Sequence, residues 1–188
     1  MFKNELKELK DAGLYRQLRT VEKTDGRSLL IGGKTYINFC SNDYLGLAHD
    51  PTVIKAGNAA AERFGSGSSA SRLISGNLSI HEELERKIAK FKGREAAIVF
   101  PSGYMANLGV ITSLVGENDT VIIDRLDHAS IIDACKLSKA KLQVYPHKDM
   151  EALEKILQRS AQYKKRLVVT DSIFSMDGDI APLPEIIK

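Results

Sequence analysis

At 188 residues, with 43% hydrophobic and 27% charged side chains, the chain has the composition of an ordinary globular domain. Its net charge of +3 comes from Lys and Arg interleaved with Asp and Glu, which leaves no basic stripe for nucleic acid. No run approaches the roughly eighteen apolar residues of a membrane span. The two cysteines, Cys40 and Cys135, lie far apart and match no metal spacing. They predict buried thiols in a reducing compartment, and a cytoplasmic protein.

Residues 1–10 form an amphipathic helix with Phe2, Leu6 and Leu9 on one face; its acids and missing apolar core exclude a signal peptide. The helix gives way near Gly13 to Leu14–Arg19. Ser28–Ile31, Gly32-Gly33 and Lys34–Phe39 predict two strands around a turn where positive φ is cheap. An irregular polar stretch, Cys40–Leu47, follows. Asp50 then caps a helix with Pro51 at its first position, running to about Phe64. Gly65–Ser71 and Ser75–Asn77 read as loops. Ser79 and Glu82 make a capping box for a helix with Ile80, Leu84, Ile88 and Phe91 on its inner face.

From Ala96 the pattern becomes regular. Ala96–Phe100, Thr120–Asp124, Lys141–Tyr145 and Arg166–Thr170 read as short buried strands. Between them lie helices over 103–115, 128–138 and 150–158, the last capped by Asp149. Apolar strands alternating with helices predict an α/β fold with a largely parallel sheet. Residues 1–50 are expected to be an N-terminal arm and 51–188 the first part of a larger α/β domain. Pro184 opens a final helix of barely one turn, too short to offer an apolar face to the sheet. Lys188 is therefore expected to be an internal point of a longer protein.

Three strand ends carry polar groups, and in an open parallel sheet the carboxyl ends of strands are where ligands bind. After the first, Phe100–Asn107 opens a helix whose amides at Ser102, Gly103 and Tyr104 form a ready anion site; an ordinary strand-to-helix connection explains the same residues. After the second, Asp124–Ser130 places His128 at the sheet edge, where a solvated histidine is the plain alternative. After the fourth strand come Asp171, Ser172, Ser175, Asp177 and Asp179, which also make a good turn. Their convergence is harder to dismiss than any one of them. Gly65–Ser71 could nest a phosphate or simply connect. His49, His81 and His147 show no ligand spacing and read as surface or capping residues, and no metal site is expected.

The stretches Asn38–Leu47, Ser102–Asn107, Asp124–Ser130 and Phe174–Asp179, in this order and spacing, resemble the α-oxoamine synthases, pyridoxal-phosphate enzymes of fold type I. The resemblance covers essentially the whole chain. It implies that residues 51–188 begin the cofactor-binding large domain, and that the enzyme condenses an amino acid with an acyl thioester as a homodimer, without membrane or nucleic acid. Gly65–Asn77 looks most like the members that use L-alanine and a pimeloyl thioester in biotin synthesis. Members using glycine with acetyl-CoA, or serine with a long acyl thioester, stay open, as does a non-catalytic truncated paralogue or partner subunit. The resemblance assigns pyridoxal 5′-phosphate to Gly103, Tyr104, His128 and Ser175, and substrate to Arg16, Asn42 and His128, with His128 as catalytic group. The family's Schiff-base lysine would lie beyond Lys188, so these residues alone are expected to be inactive.

Overall fold

A computed structural model describes residues 2–188 and divides them into two compact units, one ending at Ser79 and one covering Ile80–Lys188. In the first unit, α1 (Phe2–Asp11) precedes an antiparallel sheet of order β1 (Lys23–Thr24), β2 (Ser28–Ile31) and β3 (Lys34–Ile37). The Gly32-Gly33 turn sets Ser28 opposite Ile37 and Ile31 opposite Lys34, and both glycines take the left-handed φ that the turn demands. The short β1 escapes sequence reading, because two residues carry no periodicity.

Asp50 caps α2 (Pro51–Phe64) by accepting the Thr52 and Val53 amides. The expected loop over Ser75–Asn77 is instead the end of a π-helical turn, Arg72–Gly76, closed by the Arg72 guanidinium donating to Asn77 Oδ1 at 2.7 Å. Gly76 is required there, since a methyl group would run into the Ala70 carbonyl.

All but the first residue of α3 (Ser79–Lys92) lies in the second unit, and its expected inner face of Ile80, Leu84, Ile88 and Phe91 is exposed. Ala96–Phe100 is not a strand. A strand exists by its ladder, and none of the described strands pairs with this segment; Ile98 is exposed, and the Val99 amide goes to Glu85 Oε1. Next come α4 (Gly103–Leu114), β4 (Thr120–Asp124), α5 (Ala129–Ser138), β5 (Lys141–Tyr145), α6 (Met150–Arg159) and β6 (Arg166–Val169). The three strands form a parallel sheet of order β5-β4-β6, so the expected α/β architecture with flanking helices is observed.

The central strand explains its own sequence. Val121 and Ile123 pack under α4 and α5 with Ile111, Ile131, Ala134 and Cys135. Ile122 faces the other way, into Tyr145, Leu153 and Ile156 beneath α6. With both faces covered, every residue of β4 is buried, which is why its centre, Val121–Ile123, is apolar without alternation between two buried polar ends, Thr120 and Asp124. Burial pushes the Cys135 thiol up to about 11, consistent with an inert core cysteine, whereas Cys40 is exposed.

The final helix, α7 (Leu183–Ile186), is a single turn. Contrary to expectation it does cover the sheet, because Ile186 packs against the α6-side cluster. Among the described residues no helix is long and apolar enough to cross a membrane.

Candidate functional site

The carboxyl edge of the parallel sheet is laced together by aspartates. Asp127 sits just past β4 and accepts two backbone amides, from Asp124 at 2.8 Å and from Asp171 beyond β6 at 2.8 Å. Asp171 in turn accepts the His128 amide at 2.9 Å. Burial pushes the Asp127 carboxyl up to about 6 against the pull of those two amides, and the Asp171 and Asp124 charges add to the rise. The ends of β4 and β6 and the start of α5 are thus one hydrogen-bonded unit.

His128 caps α5 and is exposed. Its Nδ1 accepts the Ser130 amide at 3.2 Å and lies 2.7 Å from Ser130 Oγ. An amide N–H can only donate, so Nδ1 carries no proton here. Ser130 Oγ meanwhile takes a hydrogen bond from Asn107 Nδ2 at 2.8 Å, leaving its own proton for Nδ1. The chain Asn107–Ser130–His128 therefore fixes one tautomer, with the Nε2–H turned out as a donor.

Beside it, Ser102 caps α4 by accepting the Met105 amide. Among the described residues no acceptor takes the Gly103 or Tyr104 amides, and a Cβ at Gly103 would meet nothing. Two uncommitted donors at a twelve-residue helix start, with open space before them, suit an anion. The Tyr104 ring is half exposed and its hydroxyl donates to Asp133 Oδ2 on α5 at 3.0 Å, a bond that raises its pKa. These contacts tie α4 to α5 and bring Gly103, Tyr104 and His128 to one edge.

Ser175 stands at the exposed tip of a turn beyond β6. The turn closes on itself: the Phe174 amide donates to the Asp179 carbonyl at 3.0 Å and the Gly178 amide to the Phe174 carbonyl at 2.8 Å. Arg16 and Asn42 belong to the first unit and are both exposed, the latter accepting from the Tyr44 hydroxyl at 3.4 Å.

Three site residues escaped sequence reading: Asn107, Asp127 and His147. The expectation that His147 is a surface or capping residue fails. Its Nδ1 lies 2.9 Å from Asp124 Oδ1 and its Nε2 3.0 Å from Asp179 Oδ2, and its ring stands edge-on to Phe174. A positional signal existed. His147 lies two residues past the end of β5, nearer its strand than His128, which lies four past the end of β4.

His147, Asp177 and Asp179 could together offer three ligand atoms to a metal, all within 4.8 Å of one another. The contacts present are those of His147 with the two carboxylates, Asp124 through Nδ1 and Asp179 through Nε2. The group reads as a charge clasp.

The chain belongs to the aminotransferase class I and II family, whose pattern matches residues 34–188. Among relatives, it is 51% identical over 183 residues to the 8-amino-7-oxononanoate synthase of Geobacter sulfurreducens, covering 97% of this chain and 47% of that protein. It is 51% identical over 187 residues to the enzyme of the same name from Thermoanaerobacter pseudethanolicus, covering 99% and 47%. Among solved structures it resembles a serine palmitoyltransferase from S. paucimobilis with a bound PLP–myriocin aldimine. That match has a TM-score of 0.90 and 39% identity over 99% of this chain and 48% of that one. The chain spans about half the length of the curated relatives it matches. The α-oxoamine synthase resemblance of the sequence motifs is borne out.

Proposed function

We propose that the protein is an 8-amino-7-oxononanoate synthase, a pyridoxal-phosphate acyltransferase. It would join L-alanine to a pimeloyl thioester with loss of carbon dioxide, in biotin synthesis. The observation that carries this reading is half-identity along nearly the whole chain to relatives of that name.

The residues fit the cofactor. The free Gly103 and Tyr104 amides suit its phosphate, and the exposed His128 imidazole offers a flat face and an Nε2–H donor. Ser175 would add a hydroxyl from the turn beyond β6. When bound, the cofactor withdraws electrons from the amino-acid α-carbon. Around it, His128 orients the planar group and holds a proton at Nε2, while Ser130 and Asn107 keep that tautomer in place. Arg16 and Asn42 are assigned to substrate. The reading carries with it a cytoplasmic homodimer, and a Schiff-base lysine supplied from outside these 188 residues.

The test uses the intact gene product loaded with pyridoxal phosphate. L-Alanine, glycine and L-serine are each paired with pimeloyl-, acetyl- and palmitoyl-CoA, and carbon dioxide release is followed. Alanine with the pimeloyl thioester is expected to lead by about tenfold or more. A preference for serine with palmitoyl-CoA would move the reading to a serine palmitoyltransferase, which the structural likeness favours as the second choice. No turnover with any pair would leave a non-catalytic partner subunit. His128→Ala is expected to lose about a hundredfold or more in turnover without unfolding.

A further inference from the structure

We infer that His147 is a positioning residue: clamped between Asp124 and Asp179, it holds the Phe174–Asp179 turn against the end of β4 and so sets where Ser175 stands. The consequence for the cofactor rests on the placement of Ser175 proposed above.

The argument begins with hydrogen-bond inventory. A carboxylate only accepts, so two ring nitrogens at 2.9 and 3.0 Å from carboxylate oxygens must both donate, and the ring is an imidazolium. That charge lies between two anions from different parts of the fold. Asp124 ends the central strand and is 1% exposed. Asp179 closes the turn.

Lys148, next in the chain, doubles the link. Its amide donates to Asp124 Oδ2 at 2.9 Å, and its ammonium reaches Asp179 Oδ2 at 3.0 Å. Lys148 holds a φ of 57°, a left-handed conformation that side-chain-bearing residues seldom adopt. The groups facing His147 are therefore Asp124 from the strand, Asp177 and Asp179 from the turn, and Lys148 beside it. The hydrogen bonds to Asp124 and then Asp179 raise the imidazole pKa, in agreement with the geometry.

Backbone bonds and an Ile173–Ile180 bridge close the turn on itself, while its side-chain links to the end of β4 run through His147 and Lys148. Ser175, Met176 and Asp177 are exposed, and only Phe174 is buried, at 1%. His147 grips both flanks of Ser175, the Phe174 ring edge-on at 4.5 Å and the Asp179 carboxylate by charge. A neutral replacement can keep one of those contacts but cannot donate to both carboxylates from one small ring.

The test compares His147→Ala and Ser175→Ala with the parent in the intact gene product. Hydrogen exchange is read at the Phe174, Gly178 and Ala181 amides, and pyridoxal phosphate is titrated by its absorbance. His147→Ala is expected to speed exchange at those three amides at least about tenfold while β4 stays protected, and to weaken cofactor binding about tenfold. Ser175→Ala is expected to weaken binding to a like degree with exchange unchanged.

Parental exchange in His147→Ala would overturn the clasp. Parental cofactor affinity in Ser175→Ala would overturn the placement of Ser175 and leave the clasp standing. Weakened binding in Ser175→Ala alone, with His147→Ala binding normally, would overturn the claim that the clasp sets Ser175. Should His147→Ala fail to fold, ¹⁵N shifts of the parent imidazole followed against pH decide: a ring that loses its second proton at or below the ordinary imidazole value of about 6.5 would overturn the proposal.

Discussion

The two units bury their apolar side chains to very different extents. From β4 onward, Val121, Ile122 and Ile123 are at most 1% exposed, because helices cover both faces of the sheet. In the described residues up to Ser79 the only buried residue is Gly76, while Leu18, Phe39 and Leu73 stand almost fully in solvent. Both units have sound amphipathic or alternating patterns. The difference is that a βαβ unit supplies its own cover through local crossovers, whereas a helix and a small hairpin do not.

Paired truncations would break or sharpen that contrast most directly. Ile123→Ala is expected to cost about 2–5 kcal/mol by denaturant unfolding, as a cavity in a closed core does. Phe39→Ala should cost under about 0.5 kcal/mol. Equal costs would show that Phe39 is covered in the intact protein, and the contrast would fail.

A smaller effect is expected at the sheet edge. Asp127→Asn leaves one amide of Asp124 or Asp171 without its acceptor and should cost about 1–3 kcal/mol. Its pH dependence has a definite sign. The folded carboxyl titrates at about 6, above the value of about 4 in an unfolded chain, so its contribution is complete below about pH 4 and lost as pH rises through about 6. The parent should lose stability across that window relative to Asp127→Asn.

His147 has the same sign in a later window. Its pKa is raised, so its contribution is full below the ordinary imidazole value of about 6.5 and lost as pH rises through the higher folded one. Thermal melts of the parent should fall through that range and those of His147→Gln should not. Least of all, breaking the exposed Lys139–Glu117 pair should change stability by no more than about 0.5 kcal/mol, with no salt dependence worth measuring above about 0.15 M.

Much of the second unit was legible before any coordinates. The limits of β4 and β5 and the cap at Asp149 follow from local pattern, as does the cap at Asp50 in the first unit, because caps and apolar runs act over a few residues. Ala96–Phe100 reads as a strand for the same reason and is not one, since apolar composition is local but a ladder needs a neighbour. His128 was legible because it opens a helix directly after a strand.

What the sequence by itself determined, then, is the alternation of strands and helices, the family motifs and the polar groups placed at each strand end. The tertiary structure alone decided which of those groups meet. His147 reaches Asp124 across 23 positions and Asp179 across 32, and Asn107 reaches Ser130 across 23. Such pairings exist only once the order β5-β4-β6 has set the strand ends side by side, and no periodicity along the chain encodes that order.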